Sequence, residues 1–417
     1  MFSAPRGLAA VRTSSPTDIV LLSAIRTPIC RAHKGQLRDA YPEELLATLL
    51  DRTRRRLPAE AHVDDVAVGV VLSELGGSKA ARMALNHVGF PSERTSLYTV
   101  NRACASSLQA VAAMAAALRV GDVGIGIAAG MESMTRNYGS RAVPVNPWPA
   151  LVESPVQEAR DCLMPMGLTA ENVARRYGVS REAQDAFAVE SHRRAAAARD
   201  QGRFEAETVP VTIRSRSGSG EEEKEEEEEI EVKTDDGIRP ATTMEKLGRL
   251  PAAFTPTGTC TAGNTSQISD GAAAILLTRR STATRLGLRD QILARFVSAT
   301  VAGCRPDEMG VGPLIAVPRL LSRHGLTVRD VHRWEVNEAF AAQTIHCLRG
   351  LDIEHAWEAG RVNPDGGAIA LGHPLGASGA RLTATLVHGL RRAEGELGVV
   401  TMCVGTGMGM AALLVRE

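Results

Sequence analysis

Two rhythms of apolar residues run along this chain. Short β-type runs occur at residues 19–22, 66–72 and 124–129. Between them, apolar positions recur at helical spacing, as at Leu45, Leu46, Leu49 and Leu50 within residues 43–54. A short strand ends at Val100, and the next segment, 105–118, is apolar nearly all round, which predicts a fully buried helix. After residue 270 the pattern resumes with a strand at 272–277, a helix at 314–324, a strand at 334–336, a helix at 378–390, and strands at 399–402 and 410–415 joined through a glycine turn. Such alternation implies an α/β layered fold. The two stretches also echo each other. Val100 and Cys104, the helix 105–118 and the strand 125–130 correspond to the loop 366–373, the helix 378–390 and the segment 399–409, which suggests duplicated halves facing one site.

The region between them, about 135–265, is richer in loops and charge. It holds an amphipathic helix at 181–202 with a capping signal, Ser180 followed by Ala183 and Gln184. Residues 214–233 contain SRSGSG and then EEEKEEEEE, flanked by β-type runs at 209–213 and 230–232, so a hairpin with a long solvated tip is expected. The acidic run could bind a basic partner, but self-repelling like charges favour a disordered loop.

Charge and composition narrow the function. Lys plus Arg and Asp plus Glu both number 48, so no global field attracts nucleic acid or anionic lipid. Aromatics make up 3%, too few for stacking surfaces on single-stranded nucleic acid. Apolar runs are interrupted short of an integral membrane segment. The seven cysteines are scattered without metal-type spacing, which fits a reduced intracellular protein. The first sixteen residues hold two Arg, three Ser and no acid, the bias of a mitochondrial presequence or of a disordered N-terminal tail. The last three residues are not a peroxisomal SKL signal.

Several segments carry candidate chemistry. Cys104, in VNRACASSL, falls where a strand ends and a helix begins; unpaired N–H groups and the helix dipole there can lower a thiol pKa, although a structural buried Cys reads the same way. His373 lies among five glycines in NPDGGAIALGHPLGASG, a setting for a base or for a satisfied turn histidine. Cys403 opens CVGTGMG, whose glycines can let N–H groups converge on an oxyanion; a phosphate loop competes but lacks the Gly-Lys-Ser/Thr ending. Asn337 and Glu338 start a helix, or Asn337 orients a water or a carbonyl.

Taken together these segments resemble the thiolase family, the 3-ketoacyl-CoA and acetoacetyl-CoA thiolases. VNRACASS, GMESM, NEAFA, NPDGGAIALGHPLGASGAR and CVGTGMG stand in the family's order across about residues 19–415. The resemblance implies a five-layer α/β/α/β/α fold of two similar halves with an inserted loop domain. The chain would divide into a tail or targeting segment (1–17), an N-terminal half (18–134), an inserted loop domain with an acidic hairpin tip (135–265), a return strand of the N-terminal half (266–287) and a C-terminal half (288–417). It implies Cys104 as the acylated nucleophile, His373 as its base, Cys403 as a second acid/base and Asn337 as holder of a water in the enolate's oxyanion hole. The N–H groups of Cys104 and Gly405 would form the other hole. Ser266 and Met166 would touch pantetheine, with Phe340 lining the same tunnel beside Ala339.

Acyl-CoA and CoA would be substrates. No metal or redox cofactor is expected, nor a nucleic-acid partner, and the assembly would be a homodimer or homotetramer. DCLMPMG and DGIRPATTM look most like the peroxisomal 3-ketoacyl-CoA thiolases, and Pro165 stands where short-chain biosynthetic members carry His. This points to a degradative, peroxisomal enzyme of β-oxidation. Ala103 and Ser107 depart from the family, which commonly has Gln or a larger residue and Gly there. The alternatives are condensation of two acetyl-CoA at the same site and a catalytically silent acyl-CoA-binding protein on this fold.

Overall fold

The computed structural model describes residues 7–138, 143–217 and 226–417. Its strands are β1 (Ile19–Arg26), β2 (Cys30–Arg31), β3 (Asp65–Gly69), β4 (Ser96–Val100), β5 (Ile125–Ser133), β6 (Val211–Ser217), β7 (Glu226–Val232), β8 (Ser269–Arg279), β9 (Ala294–Gly303), β10 (Arg333–Val336), β11 (Leu397–Val404) and β12 (Met408–Arg416). The helices that matter for the site are α1 (Pro42–Arg54), α2 (Ser106–Val120), α3 (Met166–Arg176), α4 (Arg181–Asp200), α5 (Pro313–Arg323), α6 (Ala341–Gly350) and α7 (Ser378–Arg392).

Every residue of β1, β5 and β11 is buried, because helices cover both faces of the sheet; that is why these strands read as apolar runs rather than alternations. β5 extends past its apolar run through Glu132 and Ser133, which the ladder with β8 keeps in register opposite Gly271 and Asp270. α1 opens on Pro42, whose missing N–H costs nothing at a helix start, and the Glu44 carboxylate accepts the Tyr41 N–H. Leu45, Leu46, Leu49 and Leu50 are all fully buried on one face of it.

The strands run in the order β4-β3-β5-β8-β1, then β9-β12-β11-β10. β3 pairs parallel with β4 and β5, and β10 pairs parallel with β11; β8 and β12 each close their half antiparallel. A parallel bridge between Trp334 and Val362 stands where β4 stands in the first half. The halves join where Leu21, Val20 and Ile19 meet Ala294, Arg295 and Phe296. Three apolar clusters separate the layers: one under α1, one between the sheets around α2 and α7, and one under α5 and α6. This is the five-layer α/β/α/β/α arrangement.

Three expectations change. First, α2 is not fully buried: Leu108, Val111, Met114 and Leu118 face the central layer, but Ala116 and Val120 are exposed. Apolar composition alone does not distinguish two covered sides from one. The stretch Ala103–Val120 is also long and apolar enough to cross a membrane by length and composition; here it is the central-layer helix, packed against α7. Second, residues 7–17 are not a free tail. A short helix, Leu8–Arg12, docks on the C-terminal half, where Val11 is buried and Arg295 donates to Thr13 O at 2.6 Å. Third, the hairpin forms, but the acidic run is not all loop. Glu226–Val232 is a strand antiparallel to Val211–Ser217, with Glu229 opposite Arg214, so cross-strand pairing of opposite charges offsets the repulsion within the run. The remainder of the acidic tip lies outside the described residues.

The region between the halves packs on both of them: Val211, Ile213 and Val232 of the hairpin join the cluster under α1, and helices α3 and α4 pack on the C-terminal outer layer. Ala170, Val173, Phe187 and Ala188 join the cluster that contains Trp334 and Val336, and the Phe187 ring stacks on Trp357 at 4.4 Å.

Candidate active site

The site lies where α2 and α7 begin, one from each half. After β4 the chain makes a tight turn into α2. Asn101 Oδ1 accepts the Ala103 N–H at 2.9 Å, and Ser106 Oγ accepts the Arg102 N–H at 2.9 Å while donating to Ala103 O at 2.6 Å. These bonds hold Ala103 at φ 41°, a left-handed conformation unusual for a residue with a Cβ, and present Cys104 at the turn.

Cys104 is half-buried as a residue and packs against the central apolar cluster. Burial pushes its thiol up to about 11; the N–H groups of Gly405 and of Cys104 itself pull the other way, and the Glu132 charge adds to the rise. The expected lowering by the helix start is therefore overturned: desolvation outweighs the dipole and the amides. Gly405 is close enough that a Cβ on it would lie 3.5 Å from Ala103 Cβ and 3.6 Å from Met166 Sδ, so Met166, Gly405 and the Cys104 turn share one wall.

His373 is 4% exposed. Gln267 O accepts its backbone N–H at 3.0 Å, which ties it to the segment carrying Ser266. Asn337 Nδ2 lies 3.3 Å from Nε2, and Ser378 Oγ lies 2.6 Å from Nδ1 and 3.2 Å from Pro374 O. The network assigns the proton: an amide NH2 only donates, so Nε2 accepts; Nδ1–H donates to Ser378 Oγ, which donates to Pro374 O. Burial, then the nearby Arg381 charge, lowers the imidazole to about 3, so it is neutral with a free-base Nε2.

Cys403 is fully buried near the end of β11. Burial, with the neighbouring thiols Cys104, Cys347 and Cys304, holds it well above the ordinary thiol range. Asn337, just past β10, is fully buried; its N–H donates to Thr401 O, and its Oδ1 has no partner among the described residues.

The segment 264–266 runs along 339–341: Ser266 N–H donates to Ala339 O at 3.0 Å, and Ala341 N–H donates to Asn264 O at 3.0 Å. Ser266, Ala339 and Phe340 are thereby brought together. Phe254, 39% exposed, meets Phe340 edge-on at 6.2 Å, and a Cβ on Gly167 would collide with its ring. Phe254 thus packs on Phe340 and over Gly167, the neighbour of Met166.

Sequence reasoning missed Phe254, Ser378, Gln267 and Glu132, and read Glu338 only as a helix start, whereas the helix begins at Ala341. Ser378, Glu132 and Glu338 lie in motifs already singled out. Phe254 sits in a loop with no periodicity to mark it. Glu338 accepts from Ser191 Oγ at 2.7 Å, Asn363 Nδ2 at 2.8 Å and Ile369 N at 3.2 Å, and so binds three segments around Asn337.

A reactive-type thiol, a free-base imidazole, a second thiol and two converging amides at a junction of duplicated halves define a class of covalent group-transfer sites. Comparison with known proteins is specific. The thiolase N-terminal domain matches residues 19–281 and the thiolase C-terminal domain residues 290–416. The peroxisomal 3-ketoacyl-CoA thiolase B of Rattus norvegicus is 47% identical over 402 residues, covering 96% of this chain and 91% of its own. The dimeric peroxisomal thiolase of Saccharomyces cerevisiae superposes with a TM-score of 0.88 at 39% identity, over 98% of this chain and 100% of the other. The human mitochondrial 3-ketoacyl-CoA thiolase in complex with CoA gives 0.82 at 34%, over 96% and 98%. The chain belongs to the thiolase family.

Proposed function

We propose that this protein is a 3-ketoacyl-CoA thiolase, cleaving 3-ketoacyl-CoA with CoA to acetyl-CoA and a shortened acyl-CoA in β-oxidation. The observation that carries the mechanism is the neutral His373, whose Nδ1–H bond to Ser378 leaves Nε2 as an acceptor, together with the thiols Cys104 and Cys403, which burial raises and which lie close enough for their charges to couple. The substrate class follows from the relatives named above.

In this reading Cys104 gives its proton to His373 Nε2 as its sulfur attacks the 3-keto carbon. The N–H groups of Cys104 and Gly405 hold the alkoxide. Collapse breaks the bond between carbons 2 and 3 and releases the acetyl-CoA enolate, leaving acyl-Cys104. Cys403 protonates that enolate; a thiol with a raised pKa keeps its proton until a strong base forms beside it. The Cys403 thiolate then takes the proton of incoming CoA, whose sulfur attacks the thioester; as the shortened acyl-CoA leaves, the Cys104 sulfur takes back its proton from His373. Asn337 would hold the water of the enolate's oxyanion hole through its free Oδ1, and Ser266, Met166, Ala339 and Phe340 would contact CoA. The scheme requires no metal or redox cofactor. We further propose a homodimer, supported by the dimeric yeast relative and by the open edge of β4, and a peroxisomal location, supported by the peroxisomal relatives.

The test mixes purified protein with CoA and acetoacetyl-CoA or a longer 3-ketoacyl-CoA and follows loss of the magnesium–enolate absorbance. Mass spectrometry seeks an acyl adduct on Cys104. Turnover with an adduct that Cys104→Ala abolishes is expected; no turnover and no adduct would end the proposal.

A further inference from the structure

Two side chains of the N-terminal half hold backbone amides of the segment that carries His373. Ser107 Oγ accepts the Ala380 N–H at 2.9 Å, and Glu132 Oε2 accepts the Gly376 N–H at 2.9 Å. Both residues are fully buried. Ala380 is in the first turn of α7, whose amides have no partner within the helix. Glu132 is anchored on its own half by the Val71 and Leu72 N–H groups, at 3.1 and 3.2 Å.

The junction has no slack. A Cβ on Gly379 would run into the Leu108 amide, one on Gly69 into the Ser107 amide, and one on Gly130 into Gly376 O and within 2.7 Å of Ser107 Cβ. Backbone therefore meets backbone where the two helices start. Ser107 follows Cys104 by one turn of the same segment, and Gly376 and Ala380 bracket Ser378, the partner of His373 Nδ1.

We propose that Ser107 and Glu132 are positioning residues that fix the His373 base relative to the Cys104 thiol across the junction of the halves. Neither touches the reacting atoms. Each works by denying the start of α7 freedom to rotate or slide against the start of α2. The tie acts twice, at Gly376 before Ser378 and at Ala380 after it, so the segment is held on both sides of the imidazole's partner. The inference rests on reading Cys104 as nucleophile and His373 as base.

The experiment uses the full chain with Ser107→Ala, Ser107→Thr, Glu132→Gln and Cys104→Ala. It measures kcat and KM with acetoacetyl-CoA and CoA, the melting temperature, and the pH profile of Cys104 alkylation by iodoacetamide, read by mass spectrometry. Ser107→Ala and Glu132→Gln should lose about 10–100-fold in kcat while KM for CoA stays within about twofold, as a misplaced base predicts. The Ser107→Ala alkylation profile should move to higher pH, and Ser107→Thr, which keeps the hydroxyl, should restore both; Glu132→Gln also removes a charge that raises the Cys104 thiol, so it is read by kcat against KM alone. A purely structural role would lower the melting temperature and leave kcat per folded molecule and the alkylation profile where they were; that result overturns the proposal. Should Ser107→Ala not fold, Glu132→Gln decides by kcat per folded molecule against KM for CoA. If Cys104→Ala turns over substrate, the reading of the site fails and the clamp with it. If Cys104→Ala is inactive while Ser107→Ala and Glu132→Gln match the parent, only the clamp is lost.

Discussion

Nδ1 of His373 lies 2.6 Å from Oγ of Ser378, five residues further along the chain. The hydroxyl passes its own proton to Pro374 O, so it can only accept from the ring, and the tautomer with Nε2 free follows. Ser378→Ala should remove this preference. The expected result is a fall in kcat of about 10–100-fold with KM little changed, because the base loses orientation rather than a substrate contact. Ser378→Thr should recover most of the loss. Steady-state kinetics on acetoacetyl-CoA checks both, and a parent-like Ser378→Ala would remove Ser378 from the mechanism.

Two buried carboxylates and two buried imidazoles pull stability in opposite directions with pH. Burial raises Glu132 and Glu335 from 4.5 to about 7. A group raised in the folded state contributes fully below 4.5 and loses that contribution as pH climbs to 7. Burial lowers His373 and His192 from 6.5 to about 3 and about 4. Their contribution is full above 6.5 and is lost as pH falls toward 3. The two effects offset between 4.5 and 6.5, and below 4.5 the imidazoles act alone, so stability should fall there. Glu132→Gln isolates one carboxylate. Relative to the parent it should gain up to about 3 kcal/mol between pH 4.5 and 7, whatever its absolute stability. Urea unfolding at pH 4.5, 6 and 7.5 measures the slope; parallel stability curves for the two proteins would contradict it.

Much of this was legible in the sequence, and the physical reason differs by element. Strands buried on both faces announce themselves as apolar runs, and the leucine face of α1 announces itself by spacing. The motifs locate Cys104, His373, Cys403 and Asn337 at the ends of those elements. What spacing does not carry is contact between distant residues. Ser107 and Ala380 are 273 positions apart, and Glu132 and Gly376 are 244 apart. Nor does a helix start reveal its surroundings: the dipole at Cys104 was visible, but the apolar cluster that outweighs it was not. The N-terminal segment misled for a related reason. Its composition lacks acids, yet Val11 and the partners of Arg295 find a prepared surface on the other half.

Two glycines facing α2 and its surroundings should respond differently to the same added methyl. A Cβ on Gly379 meets the Leu108 backbone amide, whereas a Cβ on Gly126 meets the end of the Met114 side chain. Backbone of a packed helix cannot retreat without moving the sheet beneath it; a methionine can change rotamer. Gly379→Ala should therefore cost about 3 kcal/mol and Gly126→Ala about 1 kcal/mol, both read by urea unfolding. Equal costs would mean that the central layer yields more readily than its packing implies.

Arg381 poses the sharpest energetic question in the core. It is fully buried on α7, and none of its three guanidinium nitrogens has a hydrogen-bonding partner among the described residues. Oε2 of Glu335 and Oε2 of Glu207 are likewise without partners among the described residues. Burial lowers the guanidinium's pKa, and the charges of Glu335, Glu207 and Glu338 oppose that lowering. The field of these carboxylates therefore works against burial and against the nearby Arg26 charge, with no direct bond among the described residues. Arg381→Met removes the cation but leaves Glu335 and Glu338 buried with less compensation, so it should destabilise by about 3–5 kcal/mol near neutral pH. Glu335 keeps its ion pair with Arg333 at 2.8 Å, so adding Glu335→Gln should recover only part of that loss. Urea unfolding of the single and double variants at pH 7.5 decides it. A cost below about 1 kcal/mol for Arg381→Met would show that the carboxylates do not depend on this cation.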